Sequence, residues 1–396
     1  MKVDKSKWVE LTFSQIATSQ LGKTLDANKN KGLPYPYLCA ANVGMGYFNL
    51  SNVKEILLED SELEKYIVRK GDLLICEGGD TGRCAIWESE EPIYYQNALH
   101  RVRFNDDIHN KFIMYYLHYY KKVGIIDKLS HGQTIKHFTQ KGLCKLSFRM
   151  PSISEQKVIA SELDVLQTMI EGYKSQIVDL DGLAKSIFFE MFGDQIENSK
   201  QWELSSFEET LISLKTGLNP RDNFKLNEAG ANNYYVTVRE LDGYKIKYHK
   251  STDKVCDYAL PLINNRSNLQ KGDVLFSGTG TIGRTAYVDT EPKNWNIKEG
   301  VYVLKPDQRK INSLFLLHFL HSNLVEKFCR ENAKGATIKS VPMKVLKQLK
   351  FPLPPLDIQL NFARKIEVIE KQKELLQEQL ADAEQLMAER MQYYFS

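Results

Sequence analysis

Two long stretches of the chain carry apolar residues at alternating intervals of four and three. The pattern runs over residues 159–191 and returns in the same register, 203 positions later, over residues 362–394. Alternating intervals of this kind form the a/d seam of a coiled coil. The sequence therefore predicts two helices of about forty residues, each more than ~50 Å long.

The ends and faces of these helices are also predicted by the pattern. Ser154 and Asp357 are the predicted N-caps, and Gly193 is the predicted C-cap of the first helix. Lys373 and Arg390 interrupt the second apolar stripe, which makes its partner surface partly polar. The two seams are expected to bury each other; the alternative is that each helix packs only on its own globular domain. The predicted seam residues are Ile159, Leu163, Leu166, Ile170, Ile177, Leu180, Phe362, Ile366, Ile369, Leu376 and Leu380.

Outside the helices, short β-rich segments separated by turn residues dominate. This pattern predicts a mixed, largely antiparallel sheet with flanking helices, and so an α+β fold. The predicted strands of the second half are 234–238, 274–276, 285–288 and 301–304, and brief helices are expected at 111–120 and 313–321.

The chain repeats itself. Lys70 opens KGDLLICEGGDTGR, and Lys271 opens KGDVLFSGTGTIGR; Gly132 opens GQTIK, and Gly335 opens GATIK. A two-unit repeat of this length is one module used twice, which favours a protein that grips something at two points. The predicted divisions are a first module at 1–152, a first long helix at 153–194, a second module at 195–354 and a second long helix at 355–396.

Charge divides along the same boundaries. Residues 1–150 hold 21 Lys and Arg against 17 Asp and Glu, and residues 197–353 hold 24 against 17. The segments between and after them are acidic, with 3 against 8 in 151–196 and 5 against 8 in 354–396. Basic modules favour a polyanionic partner such as DNA, although an ordinary solvated surface has a similar balance.

The bulk composition is that of a globular chain, with 42% hydrophobic and 26% charged residues. No apolar run approaches the ~18 residues of a membrane span, and the N-terminus has no apolar signal core. The six cysteines are scattered without a C-x-x-C pair, which favours reduced thiols. The expected location is the cytoplasm, without a membrane partner.

Catalytic motifs are not evident. Gly278, Gly280 and Gly283 match G-x-G-x-x-G, but a strand pattern follows where a dinucleotide loop requires a helix. We therefore expect a strand-to-strand turn and no cofactor in this chain. The histidines and cysteines have no metal-ligand spacing, so no metal is expected either.

The duplicated G-x-T-I-K segments are the favoured binding chemistry. A glycine turn, a hydroxyl and a lysine suit a phosphate contact. The alternative for Thr134 and Thr337 is that they cap short helices. Arg83 and Arg284, which end the two glycine turns, are further candidates, and the alternative for them is a surface salt bridge. The candidate DNA-binding residues are Lys136, Lys339, Arg83, Arg284, Thr134, Thr337, Arg101 and Arg103.

Together these features resemble the specificity subunit of type I restriction–modification systems. The resemblance rests on the paired KGDLLI and KGDVLF turns with their Gly-Arg ends, the G-x-T-I-K segments, the helix openings ending at Gln156 and Gln359, and the long helices. The chain departs from the usual P-P-L-x-E-Q opening in both copies, with Met150-Pro151-Ser152 in one and Ile358-Gln359 in the other.

The resemblance implies that each module is a target recognition domain that reads half of a split double-stranded DNA site. The two long helices would pair as an antiparallel coiled coil and set the spacing. Two methyltransferase subunits would bind this scaffold and carry S-adenosylmethionine, and a motor-nuclease subunit would be a further partner. This chain itself would be non-catalytic. The rival interpretations are a catalytic DNA methyltransferase or nuclease, and a coiled-coil assembly protein that does not read DNA.

Overall fold

The computed structural model describes residues 3–26, 30–132, 136–221 and 223–396. The chain divides into two compact units, Met1–Lys174 with Glu378–Ser396 (unit 1) and Ser175–Gln377 (unit 2). Each unit contains one repeated module and a part of each long helix. None of the helices in this described part combines the length and apolar character that a membrane span requires.

Unit 1 is built on two four-stranded sheets. Its strands are β1 Val9–Thr12, β2 Ala17–Leu21, β3 Leu33–Leu38, β4 Lys54–Leu58, β5 Ile67–Val68, β6 Leu73–Cys76, β7 Cys84–Ile86, β8 Ile93–Tyr95, β9 Leu99–Phe104 and β10 Ser147–Met150. Its helices are α1 Phe13–Ile16, α2 Asp60–Tyr66, α3 Asn110–Lys122, α4 Ile125–Leu129, α5 Gln140–Leu143 and the first part of α6 Ile153–Phe192, with 3-10 turns at Lys5–Lys7 and Ala40–Asn42. One sheet has the antiparallel order β2-β9-β6-β7; the other has the order β4-β3-β8-β5, in which only β3 and β8 are parallel. A separate β1–β10 pair precedes α6.

Unit 2 repeats this plan with shorter outer strands. Its strands are β11 Leu204–Ser206, β12 Leu211–Thr216, β13 Asn233–Val236, β14 Leu241–Asp242, β15 Lys245–Ile246, β16 Lys254–Val255, β17 Val274–Ser277, β18 Thr285–Tyr287, β19 Trp295–Ile297, β20 Val301–Pro306 and β21 Lys350–Pro352. Its helices are α7 Phe207–Thr210, α8 Ala259–Ser267, α9 Ser313–Phe319, α10 Asn323–Asn332, α11 Met343–Lys347 and the first part of α12 Leu356–Phe395, with a 3-10 turn at Val238–Glu240. The sheet β12-β20-β17-β18 is antiparallel, and the sheet β16-β13-β19 has one parallel pair, β13 with β19.

The predicted mixed and largely antiparallel α+β architecture is therefore confirmed, and it occurs twice. The corresponding hairpins β6–β7 and β17–β18 lie at the same place in their sheets. Predicted strand ends differ by one or two residues. The strand predicted at 234–238 stops at Val236 because the Thr237 amide and hydroxyl both donate to Glu240 Oε2, at 2.8 and 2.7 Å, which caps the 3-10 turn.

Both predicted long helices are present, as α6 and α12, but their predicted N-caps are wrong. α6 begins at Ile153, and Ser152 caps it. The Ser152 hydroxyl donates to Glu155 Oε2 at 3.0 Å and accepts from Glu155 N at 3.4 Å, which is a capping box two residues earlier than expected. α12 begins at Leu356, so Asp357 lies inside the first turn. Its carboxylate there interacts favourably with the helix dipole but is not the N-cap.

The two long helices pair in antiparallel orientation. In unit 1, Glu162 of α6 contacts Arg390 of α12, and further along α6 Lys174 Nζ lies 2.8 Å from Glu384 Oε1. Residues later in α6 thus contact residues earlier in α12, which is the arrangement of antiparallel helices. In unit 2 the same pairing joins the later part of α6 to the early part of α12.

In unit 1 the seam of α6 is continuous with the core of the module. Ile159 and Leu163 are fully buried, and Leu166 and Ile170 are nearly so. They share one apolar cluster with residues of α3, of the sheet and of the end of α12. The seam of α6 thus packs on the other long helix as well as on the globular module, so the alternative that each helix packs only on its own domain is wrong. Burial of each such side chain stabilises the fold by roughly 1.5–3 kcal/mol.

In unit 2 the seam is supplied by the start of α12 and the end of α6. Phe362, Ile366 and Ile369 are buried with aromatic residues of α6 in the core cluster of that unit. The remaining predicted seam residues are less uniform. Leu376 of unit 2 is buried, whereas Ile177 and Leu180 of unit 2 and Leu380 of unit 1 are half-buried.

The two cations that interrupt the α12 stripe are neutralised by acids of both helices. Lys373 Nζ lies 2.7 Å from Asp181 Oδ1 and 2.9 Å from Glu370 Oε1. Arg390 donates to Glu162, and this hydrogen bond lowers the pKa of the Glu162 carboxyl. The polar interruptions are therefore accommodated by ion pairing at the margin of an apolar interface.

Candidate functional site

A glycine turn and a G-x-T-I-K segment lie side by side in unit 2. The Gly280 amide donates to the Lys339 carbonyl at 2.9 Å, although almost sixty residues separate them in the sequence. We call residues 278–284 and 334–341 the second turn–loop site. The adjacency of these two motifs is a tertiary feature that their separate spacings could not predict.

Unit 1 has the same arrangement. The Phe138 amide donates to the Glu77 carbonyl at 2.7 Å, and His131 and His137 exchange backbone hydrogen bonds of 2.9 and 2.8 Å that close the loop. We call residues 77–83 with 131–132 and 136–138 the first turn–loop site. In each unit, the glycine turn and the G-x-T-I-K segment therefore lie together and form one site.

The glycine-rich run of the second site is a strand connection, as predicted. It joins β17 to the antiparallel strand β18. Gly278 is required because a Cβ there would lie 2.0 Å from the ring of Tyr302. In unit 1, Glu77 takes the place of Gly278, and the smaller His100 ring takes the place of Tyr302. The first glycine of the apparent fingerprint therefore makes room for an aromatic ring.

The lysines of both G-x-T-I-K segments are exposed. Lys136 and Lys339 form no ion pair within the part of the chain that the structure describes, and Thr337 is exposed beside Lys339. Thr134 lies outside the described residues. In both sites the ammonium group is available to an external anion.

The two arginines that end the glycine turns differ in their availability. Arg83 is half-buried; its Nη2 donates to Ala40 O at 3.0 Å, and its Nε lies 3.6 Å from Asp80 Oδ2. Asp80 also pairs with Lys121 at 2.8 Å. Arg284 is exposed, and its contact with a backbone carbonyl is long, at 3.4 Å. The second site therefore presents the more accessible guanidinium.

Arg103 is held by the aspartate of the K-G-D motif. Its Nε and Nη2 donate to the two carboxylate oxygens of Asp72 at 2.7 and 2.9 Å, and this raises the pKa of Arg103. In unit 2, Lys305 pairs with Asp273 in the same way, at 2.8 Å. The repeated K-G-D turn thus tethers a cation of the neighbouring strand, a role that the sequence did not suggest for Arg103.

Arg101 points into the protein. Its guanidinium donates to the Ile67 carbonyl and, at 2.9 Å, to Gln20 Oε1, and it lies 5.5 Å from the centre of the Tyr95 ring. Only 7% of the residue is exposed, and burial lowers its pKa. The structure places Arg101 in a position that joins two sheets of unit 1.

One buried glutamine anchors each long helix to its module, Gln156 in α6 and Gln359 in α12. The sequence alone had indicated no physical role for either. Gln359 Oε1 accepts from Asn312 N at 2.8 Å, and its Nε2 donates to Pro354 O at 2.8 Å. Gln156 makes the equivalent bonds, with His109 N at 2.8 Å and with a proline carbonyl at 3.0 Å. The signal available in the sequence was their shared place five residues after a proline.

One large cavity lies in unit 2 beside α6, α9 and α12. Its volume is about 650 Å³, and its lining includes Phe188, His318 and Lys373. Burial lowers the pKa of His318 to about 3, so that its imidazole is neutral at ordinary pH. Within the described residues, no group of His, Cys, Asp and Glu side chains is arranged to hold a metal ion.

The outer faces of the long helices carry exposed apolar side chains. Isolated exposed apolar residues are common, but a series along two paired helices is typical of a surface that another helix covers. The series comprises Val158, Val165, Met169, Val178, Leu183 and Phe189 of α6 and Leu360, Val368, Leu375, Leu386 and Tyr393 of α12.

Comparison with known proteins identifies the repeated segment. A family model described as the type I restriction modification DNA specificity domain matches the chain twice, over residues 5–178 and 200–385. The type I restriction enzyme EcoBI specificity subunit of Escherichia coli is 25% identical over 348 residues, which cover 81% of this chain and 71% of that protein.

Solved structures share the fold over nearly the whole length. The S subunit of a type I restriction–modification system from M. genitalium superposes with a TM-score of 0.61 at 15% identity, covering 100% of this chain and 98% of that one. A chain from a structural study of complex assembly and conformational transition in the type I R-M system gives a TM-score of 0.58 at 16% identity, covering 98% and 97%.

Proposed function

This chain belongs to the type I restriction modification DNA specificity family, and on that premise we propose that its two modules each read one half of a split DNA site. It is a DNA sequence-specificity subunit of a restriction–modification complex. We assign residues 1–152 and 195–354 as the two target recognition domains, and residues 153–194 and 355–396 as the spacer helices. The observation that carries the assignment is the duplicated turn–loop site, with an exposed lysine in each copy.

The charge of the two modules supports a phosphate-contacting surface in each. Both modules carry an excess of Lys and Arg, whereas both helix segments are acidic. Lys136, Lys339, Thr337 and Arg284 are exposed and are the residues for which we propose phosphate contacts. Thr134 is included by its sequence position alone. Arg101 and Arg103 bond to partners inside the module, so their proposed role is to hold in place the strands that carry the DNA-contacting surface.

The exposed apolar side chains along α6 and α12 support a scaffold role. We propose that two methyltransferase subunits cover them, and that S-adenosylmethionine is bound by those subunits. A relative is named as a subunit of a type I restriction enzyme, which supports a motor-nuclease subunit as a further partner. In this proposal the chain is the non-catalytic subunit of the complex, and it acts in the cytoplasm, where its DNA lies.

Removal of the Lys339 ammonium group tests the phosphate assignment. In the complex with methyltransferase subunits, Lys339→Ala should weaken binding to cognate and scrambled duplexes about equally. Each phosphate contact contributes about 0.9 to the slope of log affinity against log salt, so the slope should fall by about one unit. Affinities measured at several salt concentrations provide the slope.

Lys371→Ala is the matched control, because Lys371 is an exposed lysine of α12 outside both turn–loop sites. It should leave the slope unchanged. A base-reading Lys339 would instead relax the preferred sequence at one position, at about 1–3 kcal/mol. A wild-type slope for Lys339→Ala would reject the phosphate contact.

Lengthening both helices tests the spacer role. Insertion of four residues after Lys174 and four after Gln377 adds roughly 6 Å to each helix, which corresponds to about two base pairs of DNA. The half-sites should stay the same while the preferred spacer between them lengthens by that amount. Mapping of methylated sites in cells that contain the methyltransferase measures both quantities. An insertion in α6 alone should abolish methylation, since the seams no longer match; an unchanged spacer in the double insertion would contradict the proposal.

A further inference from the structure

Ile338 is an apolar side chain displayed on the second turn–loop site. It is 63% exposed, between the exposed residues Thr337 and Lys339. Exposed aliphatic side chains are common on protein surfaces, and a single one has no functional meaning by itself. What distinguishes Ile338 is the rigidity of the loop that carries it and the lysine that flanks it.

The backbone on both sides of Ile338 is fixed. Lys334 and Ser340 exchange backbone hydrogen bonds of 2.9 and 2.8 Å, and the Ser340 hydroxyl lies 2.9 Å from that of Thr279 in the glycine turn. Gly335 has a φ of +115°, and a Cβ there would lie 2.1 Å from the Ile338 carbonyl oxygen. Only glycine permits this close turn, so the isoleucine is presented in a preformed loop.

The same residue occurs in both modules. Ile135 has the corresponding place in the first G-x-T-I-K segment, although it lies outside the described residues. Two modules that read different half-sites would not share a side chain that reads a particular base. A shared aliphatic group suits a contact that depends on how easily DNA deforms, rather than on which groups line its grooves.

We propose that Ile338 is an apolar wedge that inserts at a base step of the DNA when Lys339 neutralises the adjacent phosphate. Inserted aliphatic side chains unstack a step and kink the duplex, and pyrimidine–purine steps yield most readily. The insertion buries the exposed isoleucine side chain, and the rigid loop loses little freedom on binding. Ile338 thereby adds a preference for a flexible step to the half-site read by residues 195–354. This inference rests on the proposed function.

Fluorescence of 2-aminopurine, which brightens when it is unstacked, tests the wedge directly. The probe is a duplex that carries the site found by methylation mapping, with 2-aminopurine placed in turn at each position of the second half-site. The protein is the full complex with methyltransferase subunits. With the wild-type complex, 2-aminopurine at one base step should brighten. Ile338→Ala should lose this brightening and bind the duplex about tenfold more weakly, whereas Ile338→Leu should keep the brightening and the wild-type affinity.

Ile212→Ala is the control, because Ile212 is an isoleucine of the same unit that is 66% exposed and lies outside the turn–loop site. It should behave as wild type. Brightening that persists in Ile338→Ala, or bound wild-type complex without brightening at any position, overturns the wedge and leaves the proposed function intact. Loss of methyltransferase subunits from Ile338→Ala overturns it in favour of a protein contact. A wild-type complex that does not retain the duplex refutes the proposed function itself.

Discussion

Leu166→Glu should lower the melting temperature of unit 1 by more than ten degrees or prevent that unit from folding, while unit 2 keeps its own transition. Leu166 is 7% exposed and belongs to the apolar cluster that unites α6, the end of α12 and the module core. A carboxylate placed there must be desolvated or protonated, at a loss of several kcal/mol. That loss is a large part of the ~5–15 kcal/mol by which whole domains are stable.

The neighbouring residue provides the control. Val165 is 58% exposed to solvent on α6, so Val165→Glu should change the free energy of unfolding by less than about 0.5 kcal/mol. Calorimetry of both full-length variants separates the two cases. Equal melting profiles for Leu166→Glu and Val165→Glu would mean that the α6 seam is not buried as described. Because the seam and the module share one core, the damage should extend to the first recognition domain rather than stop at the helix.

Gln359→Leu should destabilise unit 2 by about 2–5 kcal/mol. Gln359 is fully buried, and its amide satisfies the Asn312 N–H together with the carbonyls of Pro354 and Lys310. Leucine has a similar size but leaves these backbone groups unpaired in the interior, and each unpaired group costs about 1–3 kcal/mol. Gln156→Leu should have the same effect on unit 1, because Gln156 makes the equivalent bonds.

A matched substitution separates the hydrogen bonds from helix propensity. Gln385 is an exposed glutamine of α12 whose amide donates to Glu389 Oε1 at 2.9 Å. Gln385→Leu should leave the urea unfolding midpoint nearly unchanged. If Gln359→Leu and Gln385→Leu unfold at the same urea concentration, the buried glutamine does not anchor the helix.

The sequence predicted the long helices well because their signal is local and sustained. An unbroken alternation of four and three over ten positions has few other physical explanations, and the helices begin within a residue of their predicted segments. The caps were harder to predict. Ser152 and Ser154 both have suitable side chains, and only the reciprocal bonds with Glu155 decide between them.

The site was less predictable because its parts are distant in sequence. The glycine turn and the G-x-T-I-K loop were each recognised, but their contact depends on the strand order of the finished sheet. Arg101 and Arg103 alternate along β9 with apolar residues, a pattern that is typical of cations on the exposed face of a sheet. Their partners, Gln20 and Asp72, come from other strands and turns that no local pattern connects to them.

The most direct test of a two-module reader is the map of methylated sites produced with and without this chain. Cells or purified reactions that contain the methyltransferase subunits and this chain should methylate a two-part, non-palindromic site with an unread spacer. Neither the methyltransferase subunits alone nor this chain alone should do so. Replacement of residues 195–354 with the corresponding domain of a relative should change one half-site and leave the other as it was. Methylation of the same site without the chain, or a domain exchange that alters both half-sites or neither, would contradict the account.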